Sequence, residues 1–125
     1  MTKEQEMNLA HIENYHNIAM NHTEQAFFEK SRNGESDQYR KLNQIAFENE
    51  KKAVDLILSP PISSLDNEQI EPTKSIMLYN CAVLAFECDP KKHKKLIKGH
   101  CNLVLDAKIS YQQEAKELLK KAGNF

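Results

Sequence analysis

The chain has 125 residues, of which 40% are hydrophobic and 28% are charged, with three glycines, three cysteines and no tryptophan. This length suits one domain that buries a real core. Three cysteines are too few to staple a secreted mini-protein, and three glycines leave little for a phosphate-binding loop. The net charge of −1 excludes a protein that is basic over its whole surface, as an electrostatic nucleic-acid binder would be.

The near-neutral charge is a cancellation between two parts of the chain. Residues 1–90 carry a net charge of −7, and residues 91–125 carry +6. A charge asymmetry of this kind is typical of chains that contact a partner through one of the two parts.

Two helices are predicted in the first half of the chain. Thr2 and Gln5 have the spacing of a capping box for a helix over about residues 4–31, and a second helix over 36–58 can begin at Ser36 or Asp37. Because only a few residues join them, the two helices should be antiparallel neighbours. The apolar stripe of the first contains Ile12, Tyr15, His16, Ala19, Thr23, Ala26 and Phe27, and that of the second contains Leu42, Ile45, Ala46, Ala53, Leu56 and Ile57.

A polar linker and a strongly apolar helix follow. Pro60-Pro61 ends the second helix and lies in a linker over residues 59–71. Pro72 suits the first position of a third helix over residues 72–88. That helix is apolar on nearly every side, so it should lie at the centre of the fold.

The fourth helix is predicted over about residues 90–105. Asp89 suits its cap and Pro90 its first position. Gly99 lies within it, and the cost of glycine in a helix indicates close packing there. The apolar side carries His93, Leu96, Ile97, His100, Leu103 and Val104, and the opposite side carries Lys91, Lys94, Lys95 and Lys98, which we call the lysine stripe.

A fifth helix is predicted over about residues 110–122, with a capping box from Ser110 and Gln113. No strand pattern competes, because the one alternating stretch contains two prolines. The chain is therefore expected to be all-α, with a single helical domain over residues 1–125. Its five helices would form two antiparallel hairpins plus a C-terminal helix.

One stretch in the middle of the chain carries a family pattern. The residues Glu71-Pro72-Thr73-Lys74-Ser75-Ile76-Met77-Leu78-Tyr79 are followed by Ala82 and by Leu84-Ala85. This pattern resembles small bacterial tetratricopeptide-like (TPR-like) proteins, whose next helix has a Leu-Ile pair where this chain has Leu96-Ile97. The resemblance spans about residues 46–98. It implies a TPR-like helical repeat fold and assigns no substrate and no catalytic residue.

Candidate catalytic and metal-binding groups are few and scattered. Glu13 and His16 have the E-x-x-H spacing of carboxylate-bridged di-iron bundles, but such a site needs the motif twice. His93 and His100 are about 10 Å apart along a helix, too far for one zinc ion, although Cys101 adjoins the second. We therefore expect no metal ion, no cofactor and no catalytic residue.

The cysteines and the apolar segments bear on location. Cys81 and Cys88 would lie about 10 Å apart along one helix, too far for a disulfide, so reduced buried thiols are expected. The polar start predicts no secretory signal, and the longest apolar run is far shorter than the ~20 residues of a membrane span. A cytoplasmic location is the expectation.

The predicted function is non-catalytic: a TPR-like scaffold or adaptor that binds a protein partner, with an acidic segment of the partner contacting Lys91, Lys94, Lys95 and Lys98. Three alternatives stay open. A nucleic-acid-binding accessory protein would use the same lysines. A small helical-bundle enzyme would use Glu13, Tyr15 and His16. Homo-oligomers would bring the acidic part of one chain to the basic part of another.

Overall fold

The computed structural model describes residues 1–125, and all of its regular secondary structure is helical. Six α-helices follow one another as α1 (Lys3–Asn33), α2 (Asp37–Ile57), α3 (Asn67–Ile70), α4 (Thr73–Cys88), α5 (Lys94–Ala107) and α6 (Gln112–Ala122), with a 3-10 helix over Ile62–Ser64. The predicted all-α class is confirmed. There are six helices rather than five, because the segment predicted as a linker over residues 59–71 contains the 3-10 helix and the short helix α3.

The chain divides into two compact units, Met1–Ser63 and Ser64–Phe125. The first unit contains the helical pair α1–α2, and the second contains α3 to α6. A single domain over the whole chain stays a prediction. None of the helices combines the length and the apolar character that crossing a membrane requires.

The ends of α1 and α2 follow the sequence signals. Thr2 Oγ1 accepts a hydrogen bond from the Gln5 N–H at 3.1 Å, and Gln5 Oε1 accepts one from the Thr2 N–H at 2.8 Å, which confirms the capping box. Gly34 ends α1 with φ of 67°, in the left-handed region that glycine adopts most easily. Ser36 caps α2, and its hydroxyl accepts from the Tyr39 N–H at 3.1 Å.

The helices α1 and α2 run antiparallel. Contacting residues pair in opposite order along the two helices, as the short connection between them requires. The contacts that show this order are Gln5 with Pro61, His16 with Glu50, and Ala26 with Leu42.

The contact stripe of α1 is narrower than its sequence pattern predicts. Ile12, Ala19 and Ala26 are its buried residues, seven positions apart, and the two alanines allow a close approach of the neighbouring backbone. Phe27 is wrongly predicted as buried: it is 67% exposed and contacts Phe28 edge to face, with 5.9 Å between the ring centroids. One residue is 100° of rotation, which carries Phe27 away from the stripe that contains Ala26.

In the second unit, α4 begins at a carboxylate cap. Glu71 Oε1 accepts a hydrogen bond from the Ser75 N–H at 2.7 Å, and Glu71 Oε2 accepts one from the Ser75 hydroxyl at 2.8 Å. The negative charge also suits the positive end of the helix dipole. Ser75 is fully buried and its hydroxyl is satisfied by this cap.

The helices α4, α5 and α6 alternate in direction. Tyr79 in α4 stacks on Tyr111, just before α6, and Phe86 near the end of α4 contacts Phe125, just after α6, so α4 and α6 run parallel. At the start of α5, Lys94 Nζ donates to the Phe125 carbonyl oxygen, so α5 runs antiparallel to α6. The alternation places α5 beside both of its neighbours in sequence.

Two predicted helix starts are wrong. Residues 90–93 form a turn, and α5 begins at Lys94, although Asp89 does act as a cap for that turn by accepting from the Lys92 N–H at 3.1 Å. The predicted capping box from Ser110 and Gln113 is not formed. Instead Tyr111, with φ of 56°, precedes α6, and the Gln112 side-chain amide donates to the Val104 carbonyl oxygen at 2.7 Å.

The prediction of close packing at Gly99 is also wrong. Gly99 is exposed, and a Cβ added to it would meet nothing within 4 Å. Its place in the middle of α5 therefore carries the conformational cost of a helical glycine without a packing reason for it.

Gly99→Ala is expected to raise the free energy of unfolding by about 0.5–1 kcal/mol. Alanine reduces the conformational entropy of the unfolded chain, and its Cβ meets no steric obstacle in α5. Urea unfolding followed by circular dichroism measures the change. The matched control is Gly34→Ala, which should destabilise because Gly34 has φ of 67°. A loss of stability in the Gly99 variant would contradict the exposed position.

Candidate functional site

The structure divides the lysine stripe between a turn and a helix. Lys95 and Lys98 lie on α5 and are exposed, and Lys91 is exposed on the turn before it. These three ammonium groups take part in no ion pair or hydrogen bond within the chain. Lys94 differs, because it is only partly exposed and its Nζ donates to the Phe125 carbonyl oxygen at 2.6 Å. The exposed part of the stripe is therefore Lys91, Lys95 and Lys98.

The opposite side of α5 is held firmly. Ile97, Cys101 and Val104 are fully buried, so the lysines project from a helix whose other face is packed. Leu103, predicted on the apolar side, is 41% exposed. Burial raises the pKa of the Cys101 thiol to about 11, which keeps it protonated at neutral pH and unsuited to nucleophilic chemistry.

The two histidines near α5 do not occupy equivalent positions. His93 precedes the helix, and its backbone N–H donates to the Asp89 carbonyl oxygen at 3.1 Å. His100 lies within α5 and is partly buried. Burial, and then the nearby charge of Lys92, lowers the pKa of His93. No group of three or more His, Cys, Asp or Glu side chains in residues 1–125 has a metal-binding arrangement, and this includes His93, His100 and Cys101.

The first unit contains a His–Glu pair of which the carboxylate is buried. Glu50 on α2 is fully buried, and His16 on α1 is partly exposed. Nδ1 of His16 lies 2.9 Å from each carboxylate oxygen of Glu50, so the imidazole N–H donates to the carboxylate. The pair joins the two helices of the hairpin through a contact between residues 34 positions apart.

The electrostatics of this pair favour a bound proton. The hydrogen bond to Glu50 raises the pKa of His16, and this effect exceeds the lowering by burial. Burial raises the pKa of Glu50, against the opposing effect of the hydrogen bond from His16. A proton is therefore held between the helices more tightly than it would be in the unfolded chain.

Sequence reasoning missed Glu50, although the signal was present. Glu50 falls between Ala46 and Ala53 at spacings of four and three, which is a position on the apolar stripe of α2. A charged residue in such a position is rarely buried without a partner. His16 on the apolar stripe of α1 was the matching half of the pair.

The cluster suggested for an enzyme is not assembled as the sequence implies. His16 pairs with Glu50, whereas Glu13 is exposed. Tyr15 is partly buried, and Lys52 Nζ lies 5.5 Å from the centroid of its ring. The three side chains of Glu13, Tyr15 and His16 thus have separate surroundings.

A groove between α4 and α6 is one concave feature of the second unit. It encloses about 130 Å³. Its apolar lining consists of Tyr79, Val83, Phe86 and Leu118, and its charged lining consists of Glu87, Glu114, Glu117 and Lys121. Nothing in the sequence pattern alone identified it, because its residues come from two helices separated by α5.

Three side-chain sets are therefore candidates for function: the exposed lysines beside α5, the buried pair in the first hairpin, and the acidic groove. Only the first was predicted from the sequence. The other two depend on helices meeting in space. Comparisons of the chain with family models, curated proteins and solved structures give no match.

Proposed function

We propose that this protein is a non-catalytic helical scaffold that binds an acidic segment of a protein partner through the exposed lysines Lys91, Lys95 and Lys98. The single observation that carries the proposal is that these three ammonium groups are exposed and unpaired on or beside a helix that is anchored by the fully buried Ile97, Cys101 and Val104. Charges held on a rigid support lose less freedom on binding than charges on a loose tail.

A TPR-like arrangement belongs to the same proposal. TPR repeats are helix–turn–helix units stacked side by side. In support of this, α4 and α6 run parallel, and α5 runs antiparallel to α6, as successive helices of such units do. Within the first unit, α1 and α2 by themselves form an antiparallel pair. A cytoplasmic location also stays part of the proposal, and the three free thiols are in keeping with it.

The exposed lysines lack the features of base-specific nucleic-acid recognition. Base recognition uses arginine forks and stacked aromatic rings, and the exposed stripe has neither. A lysine is a flexible point charge that pairs with carboxylates or with phosphates, and we propose the carboxylates of a peptide as its partners here. Nucleic acid binding is the competing outcome of the experiment below.

The triple variant Lys91→Gln/Lys95→Gln/Lys98→Gln is expected to weaken binding of a labelled Glu-rich peptide by roughly tenfold. Each exposed ion pair contributes on the order of 0.5 kcal/mol, and three together correspond to about that factor. Fluorescence anisotropy at low and at moderate salt measures the affinity, which should fall as salt is added.

The control is Lys108→Gln/Lys116→Gln/Lys120→Gln, which removes the same charge from other exposed positions of the second unit. It should keep most of the affinity. Equal losses in the two triple variants would contradict a specific surface. Tighter binding of a mixed-sequence oligonucleotide, lost in the Lys91/Lys95/Lys98 variant, would instead establish a nucleic-acid-binding protein.

A further inference from the structure

The groove between α4 and α6 has a charge opposite to that of the lysine stripe. Glu87, Glu114 and Glu117 contribute three carboxylates to its lining, and Lys121 contributes one ammonium group. The net charge of the lining is therefore −2 in a second unit whose lysines outnumber its acidic residues. This local excess repels anions and attracts a cation.

The groove is also aromatic, and its rings are held in place by other rings. Tyr79 stacks on Tyr111, with 4.6 Å between centroids and 11° between planes. Phe86 meets Phe125 edge to face, at 5.6 Å and 85°. Aromatic rings beside carboxylates attract a cation that also has an apolar part, because the ring quadrupole and the apolar contact act together.

The carboxylates of Glu114 and Glu117 lie close enough to Tyr79 to affect its hydroxyl group. Burial raises the pKa of Tyr79, and the negative charges of Glu114 and Glu117 raise it further. The Tyr79 hydroxyl therefore lies in the field of these two carboxylates. A cation in the groove would neutralise part of this negative charge and would also contact the Tyr79 ring.

The volume of the groove suits one side chain rather than a larger ligand. Drug-sized ligands need about 300–1,000 Å³, whereas a cavity of about 150 Å³ accommodates a group as large as benzene. At about 130 Å³, the groove fits one ammonium or guanidinium group with its apolar stem. A bare metal ion suits it poorly, because its carboxylates do not form a metal-binding group.

We propose that this groove is a docking site for a basic side chain, lysine or arginine, presented by a partner protein. The carboxylates of Glu114 and Glu117 bind the charged head, and Tyr79 and Phe86 contact the stem. The inference does not depend on the lysine stripe, since the groove and the stripe have opposite charge and are tested with different probes. A protein with both surfaces would bind partners of mixed charge.

The test uses the full chain labelled with ¹⁵N and the probe Nα-acetyl-lysine N-methylamide. Saturable shifts are expected for backbone amides of residues 79–87 and 114–121, with a Kd of roughly 1 mM, as suits a ligand of this size. The blocked arginine analogue should bind comparably. The blocked norleucine analogue, which keeps the stem and lacks the charge, should bind at least about fivefold more weakly.

Three variants make the test specific. Glu114→Gln/Glu117→Gln should weaken binding of the lysine probe by about fivefold, and Lys121→Gln should strengthen it by about twofold. The control Glu13→Gln/Glu24→Gln removes two exposed carboxylates from the first unit and should change nothing. All the replaced side chains line the groove or are exposed, and glutamine keeps their shape, so the fold should survive.

Two results would overturn the proposal. One is binding of norleucine as tight as that of the lysine probe, which would show an apolar groove without charge selection. The other is an equal effect of the two double variants, or shifts spread over every acidic region, which would show nonspecific attraction. Loss of peptide binding at the lysine stripe would leave these outcomes unaffected, so the two proposals fail separately.

Discussion

His16→Ala is expected to lower the free energy of unfolding by about 2–4 kcal/mol at neutral pH. The substitution leaves Glu50 fully buried without the imidazole that donates to it from 2.9 Å. Breaking one side of a buried ion pair costs about 3–5 kcal/mol, and the lower range applies because His16 is partly exposed. Urea unfolding followed by circular dichroism measures the change.

Two companion variants separate the pair from a general effect on the hairpin. Glu13→Ala, three residues away on the exposed side of α1, should change stability by about 0.5 kcal/mol or less. The double variant His16→Leu/Glu50→Leu should recover most of the loss, because apolar residues of similar volume replace buried pairs well. Equal effects of His16→Ala and Glu13→Ala would refute the role of the pair.

The same pair makes stability depend on pH. The pKa of His16 is raised in the folded protein, so its contribution to stability is complete below about pH 6.5 and is lost as the pH rises through the folded value. The raised pKa of Glu50 acts in the same direction at lower pH. Unfolding free energies of wild type should therefore fall from pH 6 to pH 9. In His16→Leu/Glu50→Leu this fall should be largely absent, and an unchanged slope there would contradict the assignment.

Ile97→Ala is expected to destabilise the protein by about 2–5 kcal/mol. Ile97 is fully buried on α5, so its truncation removes apolar contacts and leaves a cavity. Lys95 and Lys98 also lie on α5. Near the unfolding midpoint a larger fraction of the variant is unfolded, so its binding of the peptide should be weaker than that of the wild type. Thermal and urea unfolding measure the stability.

Leu103→Ala is the matched control. The helical pattern places Leu103 on the same side as Ile97, but in the structure it is 41% exposed. Its truncation should cost less than about 1 kcal/mol, since a large part of its surface already meets water and its loss leaves no enclosed cavity. If the two variants destabilised equally, the rotation of α5 seen in the structure would be wrong.

Much of the local structure could be predicted because local signals determine it. The capping box at Thr2 and the cap at Ser36 act within a few residues, and they mark helix starts in the structure. The prediction of the start of α5 fails although both signals are present. Asp89 and Pro90 initiate a turn, and α5 begins only at Lys94. A cap satisfies the first N–H groups but does not decide whether a turn continues as a helix.

Rotation of the helices was only partly predictable. A period of 3.6 residues identifies an apolar side, but the width of the buried stripe depends on the number of neighbouring helices. This is why Phe27 and Leu103 are exposed, although each lies beside buried residues in the pattern. The wrong prediction of close packing at Gly99 has the same cause, since the surroundings of Gly99 depend on whether another helix approaches α5 there.

The amino-acid sequence by itself determined the helical class, most helix boundaries and the segregation of lysines after residue 90, because these follow from propensity, capping and periodicity along the chain. Only the tertiary structure decided which charges meet. It paired His16 with Glu50, left Lys91, Lys95 and Lys98 unpaired, and brought Glu114 and Glu117 to the same groove as Tyr79. Electrostatic energy depends on distance and burial, and neither is set by position along the chain.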